Sequence, residues 1–315
     1  MKKWMFSTLL LLFILPAGLA QPLPKVEKEL RRYISALTDD EMAGRASQTR
    51  GDTLAAEYLR DFLAAQKEIK LLYDNGIQRF SSSSWAGQLS SFNVAGLIEG
   101  RDPVLKHEII LIGAHYDHMG IEEDNWGDEP KIKHGADDNA SGTAMVMALA
   151  RHLADERKLL KRSVMIVFFG AEECGLVGSA HMAQNLPEGI AAENIACMVN
   201  FDMVGRLTPE RGLTFFGLNS GLELNSLLRS VPSPMPNGTP VHFKRSVFAS
   251  SDHSSFYDQG IPAFMVFTGI HADYHKSTDT PDKINFRGMS MIYPYTKSII
   301  LKLSNGPRIT FQNAE

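Results

Sequence analysis

The spacing of apolar residues along the chain predicts alternating helices and strands. Near the start, apolar side chains recur every third or fourth residue, first from Val26 to Leu37 and again from Leu54 to Leu63, which is the pattern of an amphipathic helix. Short runs rich in β-branched and aromatic residues follow, and these are typical of strands. The predicted strands cover residues 93–98, 108–113, 163–169, 197–201 and 263–267. Further helices are predicted between strands, at 141–154 and 222–229.

This alternation predicts the fold class. Continuously apolar strands separated by helices are typical of a mostly parallel sheet that is covered on both faces. We therefore expect a three-layer α/β/α fold with a mixed, mostly parallel sheet and helices on both faces. The chain shows no internal repeat and no linker long enough to separate two domains, and the Pro-rich segment 231–240 is interpreted as a surface loop. Residues 21–315 are predicted to form a single domain.

The first 20 residues have the pattern of a secretory signal peptide. Lys2 and Lys3 precede an apolar run over 4–15, and the small residues Gly18 and Ala20 lie where a signal peptidase would cleave, before residue 21. The apolar run is shorter than the roughly 20 residues needed to span a bilayer. We expect an exported protein, periplasmic or extracellular, with no stable membrane span after cleavage.

Composition and charge exclude several function classes. The chain of 315 residues is 44% hydrophobic and 22% charged, as in an ordinary globular protein. Its net charge is −4, and removal of the lysine-containing leader makes it more negative, which argues against nucleic-acid binding through phosphate contacts. The only cysteines, Cys174 and Cys197, are expected at opposite edges of the sheet, so we predict two buried free thiols instead of a disulfide.

Acids and histidines follow the predicted strands at their carboxyl ends, where ligands gather in open α/β sheets. Any one of these fragments alone is common on protein surfaces. Together, so many ionisable groups after buried strands would repel one another unless a cation were bound among them. Carboxylates and imidazoles without cysteine suit zinc, or else cobalt or manganese. The groups are His115-Tyr116-Asp117, Asp137-Asp138, Glu172-Glu173, Asp202 and Tyr274-His275.

These motifs occur in one order along the chain and resemble metallopeptidase family twenty-eight, the di-zinc aminopeptidases. The resemblance covers residues 93–283, with a weaker echo at 42–45. The same fold also serves glutaminyl cyclases and receptor ectodomains without catalysis, so the fold alone does not decide activity. The motifs are His115-Tyr116-Asp117, Gly135 to Gly142, Glu172 to Ser179, Asn200 to Gly205, Ser251-Asp252-His253 and Tyr274 to Thr280.

The resemblance implies a centre of two zinc ions with five protein ligands. Asp138 would bridge the two ions, His115 and Asp202 would complete one site, and Glu173 and His275 would complete the other. Of the neighbouring pair Asp137 and Asp138, the motif favours the second. A shared carboxylate of this kind holds two cations about 3.5–4 Å apart, close enough to act on one reacting oxygen.

The resemblance also implies roles for three residues that are not ligands. Glu172 would act as general base and then general acid, taking a proton from the metal-bridging water and passing it to the leaving amine. Asp117 would orient His115 through its second ring nitrogen. Tyr274 would donate a hydrogen bond to the developing oxyanion, or else pack in its loop.

Together, these features predict an exported zinc exopeptidase that removes N-terminal residues from peptides. Its first alternative is glutaminyl-cyclase-like acyl transfer on the same scaffold with one zinc ion. Its second is a non-catalytic secreted binding module with structural zinc. The segment 205–249 is expected to line the substrate pocket with Phe215, Phe216, Phe243 and Phe248, which would suit an apolar first residue. The pattern leaves dipeptidase and carboxypeptidase activities, the native metal and the oligomeric state open.

Overall fold

A computed structural model describes residues 23–84, 87–122, 129–235, 238–247 and 250–313; the predicted signal peptide lies outside them. The helices in these ranges are α1 (Leu23–Leu37), α2 (Arg50–Ala64), α3 (Gly142–Asp155), α4 (Val177–Gln184), α5 (Leu224–Arg229), α6 (His253–Tyr257) and α7 (Phe286–Asn305). The strands are β1 (Lys70–Leu71), β2 (Ile77–Ser84), β3 (Gly87–Ile98), β4 (Ile109–His115), β5 (Ile121–Glu122), β6 (Lys131–Ile132), β7 (Ser163–Phe169), β8 (Ile195–Phe201), β9 (Leu213–Phe216), β10 (Val241–Phe243) and β11 (Ala263–Phe267).

One large mixed sheet forms the centre of the described chain. Its strand order is β1-β3-β7-β4-β8-β11-β9-β10, and β2 pairs with β3. The four central strands β7, β4, β8 and β11 run parallel, whereas β3 and β9 join them antiparallel. The predicted α/β fold is confirmed, and the antiparallel pairs lie toward the two edges of the sheet, as is common in mixed sheets.

Helices cover both faces of this sheet, as predicted. On one face α1, α2, α3 and α7 bury their apolar sides in a large core that includes Leu30, Leu149 and Ile299. On the other face α4 and α6 pack through Met182 and Phe256 against the apolar side chains of the central strands. Among the described residues, no helix combines the length and the apolar character needed to cross a bilayer.

The last helix was not predicted from the sequence. Pro294 lies inside α7, where a proline removes a backbone hydrogen bond and costs about 3 kcal/mol. The helix nevertheless continues for 20 residues, because one side of it is buried against α1 and α3. Ile292, Ile299 and Leu303 are each at most 1% exposed, so burial of apolar surface outweighs the local preference against helix.

The two cysteines are free, as predicted, but only one is buried. Cys197 lies within β8 and is fully buried, whereas Cys174 is half-buried. Cys174 lies in the turn after Glu173, outside the sheet, and packs against a small apolar cluster with Phe80 and Leu89. The prediction of a buried Cys174 is therefore wrong, because the turn leaves the sheet before this residue.

The register of the central strands brings their carboxyl ends to one edge. His115 of β4 pairs with Phe169 of β7, and Phe201 of β8 pairs with Val266 of β11. The residues that follow these positions therefore emerge side by side from a rigid layer. This edge is where the predicted metal-binding residues meet.

Candidate metal centre

The structure brings all five predicted metal ligands into one cluster. His115 ends β4, Glu173 and Asp202 lie just after β7 and β8, and His275 lies in the loop after β11. Asp138 comes from the turn that precedes α3. His115, Asp138 and Asp202 have ligand atoms that all lie within 4.8 Å of one another. His275 is close to both Asp138 and Glu173, so the five side chains face one another as predicted.

The two carboxylate oxygens of Asp138 face two different histidines. Oδ1 lies 3.4 Å from His115 Nε2, and Oδ2 lies 3.1 Å from His275 Nε2. His115 Nε2 is also 3.6 Å from Asp202 Oδ1, and His275 Nε2 is 3.2 Å from Glu173 Oε2. Ligands of a tetrahedral zinc ion at 2.0–2.1 Å are about 3.4 Å apart. The separations on each side of Asp138 therefore match those of two zinc sites that share this residue.

Asp137 points away from this cluster. Its carboxylate accepts hydrogen bonds from the Ser141 hydroxyl (2.9 Å) and the Gly205 amide (2.6 Å), and it lies 3.1 Å from His271 Nε2. The Asp137 carboxylate thus joins neighbouring segments of the chain. The two adjacent aspartates have separate roles, and Asp138 is the one that joins the candidate ligands, as the motif favours.

Unpartnered polar atoms at the centre support the fit to a cation. Asp138 Oδ2 and Asp202 Oδ1 are buried and accept no hydrogen bond from any described residue, even though imidazoles lie close by. His115 Nδ1 donates to the backbone carbonyl of Asp117 (3.3 Å), which leaves Nε2 as the ligand atom that faces the carboxylates. Buried anionic oxygens that accept no hydrogen bond are costly unless a cation lies beside them, and this set of N and O ligand atoms suits zinc.

A model of peptidase family M28 matches residues 93–296, about two thirds of the chain and the whole of this centre. The chain belongs to peptidase family M28. Among curated relatives, it is 26% identical over 231 residues to a probable leucine aminopeptidase of Arthroderma otae, covering 70% of this chain and 59% of that protein. The chain spans between about half and three fifths of the length of such relatives.

Solved structures similar to the M28 chain share its fold at low sequence identity. A zinc aminopeptidase from Bacillus subtilis superposes with a TM-score of 0.71 at 16% identity, over 94% of this chain and all of that one. A glutaminyl cyclase from Bacteroides thetaiotaomicron gives a TM-score of 0.70 at 19% identity, over 89% of this chain and 98% of that one. These similarities establish the fold. The activity has to be inferred from the residues of the site.

The acidic surroundings raise the pKa of both candidate histidine ligands of the M28 centre. Burial lowers the pKa of His115, but the surrounding Glu172, Asp117, Asp138 and Asp202 outweigh burial and raise it well above its usual range. Asp138 and Glu173 likewise raise the pKa of His275 to about 9. A metal ion must displace these protons when it binds to the imidazoles.

Glu172 lies beside the ligands without joining them. Its Oε2 is 4.0 Å from His115 Nε2, and burial raises its pKa well above the usual range for a carboxyl group, with Asp252 and Asp202 acting in the same direction. A carboxyl group in such a position can hold and return a proton close to neutral pH. This placement agrees with the general base that the motif implies.

Asp117 contacts the glutamate pair as well as His115. Its two carboxylate oxygens accept hydrogen bonds from the backbone amides of Glu172 (3.0 Å) and Glu173 (3.2 Å). Its carboxylate is 3.7 Å from His115 Nδ1, farther than its own backbone carbonyl. The main chain of Asp117 therefore contributes most to the expected orientation of His115. The side chain of Asp117 holds the turn that carries Glu172.

Tyr274 stacks on the ring of His275, with ring centroids 3.7 Å apart. Burial raises the pKa of the Tyr274 hydroxyl above its usual value, and the nearby Asp138 and Glu173 add to this effect. The phenol therefore stays protonated and is able to donate a hydrogen bond near the centre. Its role toward a substrate remains a prediction.

Two residues of the centre were missed in the sequence. His118 is buried and its Nδ1 lies 2.8 Å from Glu173 Oε1, while His275 faces the other oxygen of the same carboxylate. The spacing His115-x-x-His118 was the available signal. Ser251 belongs to one of the family motifs, but its role was missed: it donates to Asp202 Oδ2 (2.7 Å) and accepts from Asn200 (2.6 Å), so it orients a candidate ligand.

The structure contradicts part of the expected aromatic pocket wall. Phe215 is fully buried in the core, where it packs against Phe243 and Tyr295, so its predicted place in the pocket wall is wrong. Successive residues of a strand face opposite sides, and Phe216 accordingly lies on the other face against Phe267 at the end of β11. Phe248 lies outside the described residues.

Strained backbone occurs beside three of the candidate ligands. Ala171, Met203 and His275 have left-handed φ angles of 56°, 50° and 59°. Ala171 precedes the glutamate pair, and Met203 directly follows Asp202. Non-glycine residues in this conformation cost on the order of 1–3 kcal/mol and persist only where the surroundings hold them, as is common at functional sites.

The two histidines near Glu173 lead to different expectations in the M28 chain. His275→Gln should remove one of two zinc ions, because Nε2 is the atom that lies close to both Asp138 and Glu173. His118→Gln should keep two ions but weaken one site about 10- to 100-fold, because His118 hydrogen-bonds a ligand instead of facing both carboxylates closely. Elemental analysis with chelator competition measures both. Equal loss of metal in the two variants would make His118 a ligand itself.

Proposed function

We propose that this M28 chain is a zinc-dependent aminopeptidase that uses two zinc ions to remove N-terminal residues from peptides. The observation that carries the proposal is the shared carboxylate of Asp138, whose two oxygens face two separate histidine-carboxylate sets. Glu172, a carboxyl group that is not a candidate ligand, lies 4.0 Å from His115 Nε2. The family and the aminopeptidase relatives support the same conclusion.

The residues of the site divide the chemistry among them. Zinc, when bound, would polarise the scissile carbonyl and make water acidic enough to attack near neutral pH. The Glu172 carboxylate would accept a proton from the attacking water and transfer it to the nitrogen of the leaving amine. Asp117 would keep Glu172 in place through the two amides of the turn, and the Tyr274 hydroxyl would donate to the oxyanion.

The charge of the site favours recognition of a peptide amino terminus. The carboxylates that meet here, Glu172 among them, attract a cationic amine and offset the charge of the zinc ions. Arg206 is close to the loop of His275, but its guanidinium already lies 3.0 Å from Asp279 and 3.3 Å from Asp273. With its charge paired, Arg206 is poorly suited to bind a peptide carboxyl terminus, which argues against a carboxypeptidase.

Export to the periplasm or medium is also part of the proposal. It rests on the leader pattern of residues 1–20, which lie outside the described residues. Sequencing the amino terminus of protein recovered outside the cytoplasm should show a start at residue 21. A product that retains the leader and stays in the cytoplasm would contradict export without affecting the catalytic proposal.

A panel of aminoacyl nitroanilides, run beside N-acetylated and C-terminally amidated peptides, tests the activity. We expect release of free N-terminal residues, no cleavage after N-acetylation, unchanged cleavage after C-terminal amidation, and loss of activity with a chelator. The pair of Phe216 and Phe267 leads us to expect apolar first residues to be released fastest.

Three results would contradict the proposal. Cyclisation of N-terminal glutamine without hydrolysis would identify a glutaminyl cyclase. Cleavage that depends on a free carboxyl terminus would identify a carboxypeptidase. Tight zinc binding without turnover of any member of the panel would identify a non-catalytic module.

A further inference from the structure

We propose that Arg45 and Asp52 position the metal centre by holding Tyr116, the residue between His115 and Asp117, at both of its ends. The inference rests on the proposed zinc site and concerns a segment that precedes the residues matched by the family model. Both residues act through Tyr116 and neighbouring main chain, so they are positioning residues.

Arg45 is fully buried and donates to main-chain carbonyls on three segments. Its Nε donates to Tyr116 (2.7 Å), Nη1 to His134 (2.8 Å) and to Leu37, and Nη2 to Gly135 (3.1 Å). Tyr116 directly follows the candidate ligand His115, and Gly135 begins the turn that carries Asp138. One rigid guanidinium therefore connects the two loops that supply the first zinc site with the end of α1.

Asp52 holds the other end of Tyr116. The Tyr116 hydroxyl donates to Asp52 Oδ1 (2.6 Å), which also accepts from the Ser91 hydroxyl (3.1 Å), and Oδ2 accepts from the Gln48 amide (3.1 Å). Asp52 lies in the first turn of α2 and is 1% exposed. The backbone carbonyl and the side-chain hydroxyl of Tyr116 are thus both held by the segment 45–52.

The acidic residues of the metal centre lie near enough to Arg45 to affect its pKa. The hydrogen bonds of the fully buried guanidinium all go to main-chain carbonyls and not to a carboxylate. Burial lowers its pKa to about 10, and Asp117, Asp138, Asp279 and Glu173 act in the opposite direction.

Close packing keeps the segment against both loops. The amide of His118 donates to the Arg45 carbonyl (3.3 Å), and the amide of Gly120 donates to Gly44 (3.2 Å). A Cβ atom at Gly44 would lie 2.5 Å from the carbonyls of Gly120 and Lys133, and Gly44 has a left-handed φ of 69°. Only glycine fits here, so the backbone of this segment is wedged between the two loops of the centre.

Arg45→Lys and Tyr116→Phe test the proposal. Lysine keeps the charge but has three donors where Arg45 uses four hydrogen bonds, and phenylalanine removes only the hydroxyl that reaches Asp52. We expect Arg45→Lys to weaken zinc binding about 10- to 100-fold in chelator competition, and Tyr116→Phe to weaken it in the same direction. In the metal-free proteins, amide hydrogen exchange should become faster over residues 115–120 and 134–140.

Arg162→Lys is the matched control. Arg162 is also a buried arginine that donates to main-chain carbonyls, those of Leu303 (3.0 Å) and Gly306 (2.6 Å), but it lies just before β7, at the opposite end of the strand from the metal centre. Its replacement should lower the melting temperature and leave zinc affinity unchanged. A general loss of stability is thereby separated from a loss of positioning.

The outcomes separate this inference from the proposed function. If the wild-type protein binds no zinc, the proposed function is refuted. Faster amide exchange over the two loops in Arg45→Lys would still support the role of Arg45 in positioning those loops. Wild-type protein that binds zinc, with Arg45→Lys and Tyr116→Phe binding it equally well, would overturn the inference alone. Equal weakening by Arg162→Lys would overturn it too. If Arg45→Lys does not fold, Tyr116→Phe and its exchange rates decide.

Discussion

Glu172→Gln is expected to lower kcat about 10²- to 10⁴-fold while the fold and the zinc content stay unchanged. Glutamine keeps the size of the side chain but cannot accept and return a proton. Glu172 Oε2 lies 4.0 Å from His115 Nε2, and its backbone amide is held by Asp117, so the substitution removes the proton carrier and leaves the ligand set in place. Steady-state kinetics, elemental analysis and a melting curve of the same preparation measure the three quantities.

The neighbouring Glu173 provides the contrast. Its two carboxylate oxygens lie 2.8 Å from His118 and 3.2 Å from His275, so Glu173→Gln should lose zinc as well as activity. Substitution of these two adjacent residues would thus reduce activity for different reasons, loss of proton transfer in one variant and loss of zinc in the other. Unchanged kcat in Glu172→Gln, with both ions present, would assign proton transfer to another group and refute the role proposed for Glu172.

Asp138→Asn should abolish binding of both zinc ions at once and reduce activity to below about a thousandth. Its two oxygens lie at 3.4 Å and 3.1 Å from histidines that belong to different sites, so each site loses a ligand in the same substitution. An amide offers a neutral oxygen to one cation and an NH₂ group to the other, which cannot bridge. Zinc titration by calorimetry should show no tight site in this variant, whereas we expect two in the wild type.

Asp137→Asn is the control for that experiment. Asp137 accepts hydrogen bonds from Ser141 and Gly205 and faces His271, away from the metal centre. We expect this variant to lose about 1–3 kcal/mol of stability through its weakened hydrogen bonds and to retain two ions. Retention of one tight ion in Asp138→Asn would mean that the carboxylate does not bridge, and the centre would have to be described as two separate sites.

Segments that carry candidate ligands have a strained backbone. The backbones of Ala171, Met203 and His275 adopt left-handed conformations, and each lies within two residues of a candidate ligand or is one itself. The central sheet and the loops around it hold these residues in place, so the ligand atoms are close to their final positions before a cation arrives. Less ordering is then needed on binding, which favours tight binding.

The fold class and the five candidate ligands could be predicted from the sequence. Apolar runs such as 109–114 and 163–169 have the length and composition of buried parallel strands, and their carboxyl ends must meet at one edge of a sheet. Ionisable residues placed directly after such strands are therefore brought together whatever the details of the loops. For this reason His115, Glu173 and Asp202 lie close together in the structure, while their role as zinc ligands stays a prediction.

Other features depend on contacts between residues that are far apart in the chain. Arg45 reaches Gly135 across 90 positions, and neither local spacing nor residue type predicts that contact. His118 contacts Glu173 because two loops meet whose paths the sequence does not predict. Similarly, α7 continues through Pro294 because α1 and α3 cover one side of it.

The sequence by itself thus determined which chemical groups gather at the edge of the sheet, since strand periodicity and direction are local properties. Only the tertiary structure decided how those groups divide the work. It turned Asp138 toward the centre and Asp137 away from it, put Phe215 in the core, and placed a buried arginine behind the ligands. The physical reason is that side-chain orientation depends on the register of strands and the paths of loops, which are set by packing over the whole molecule.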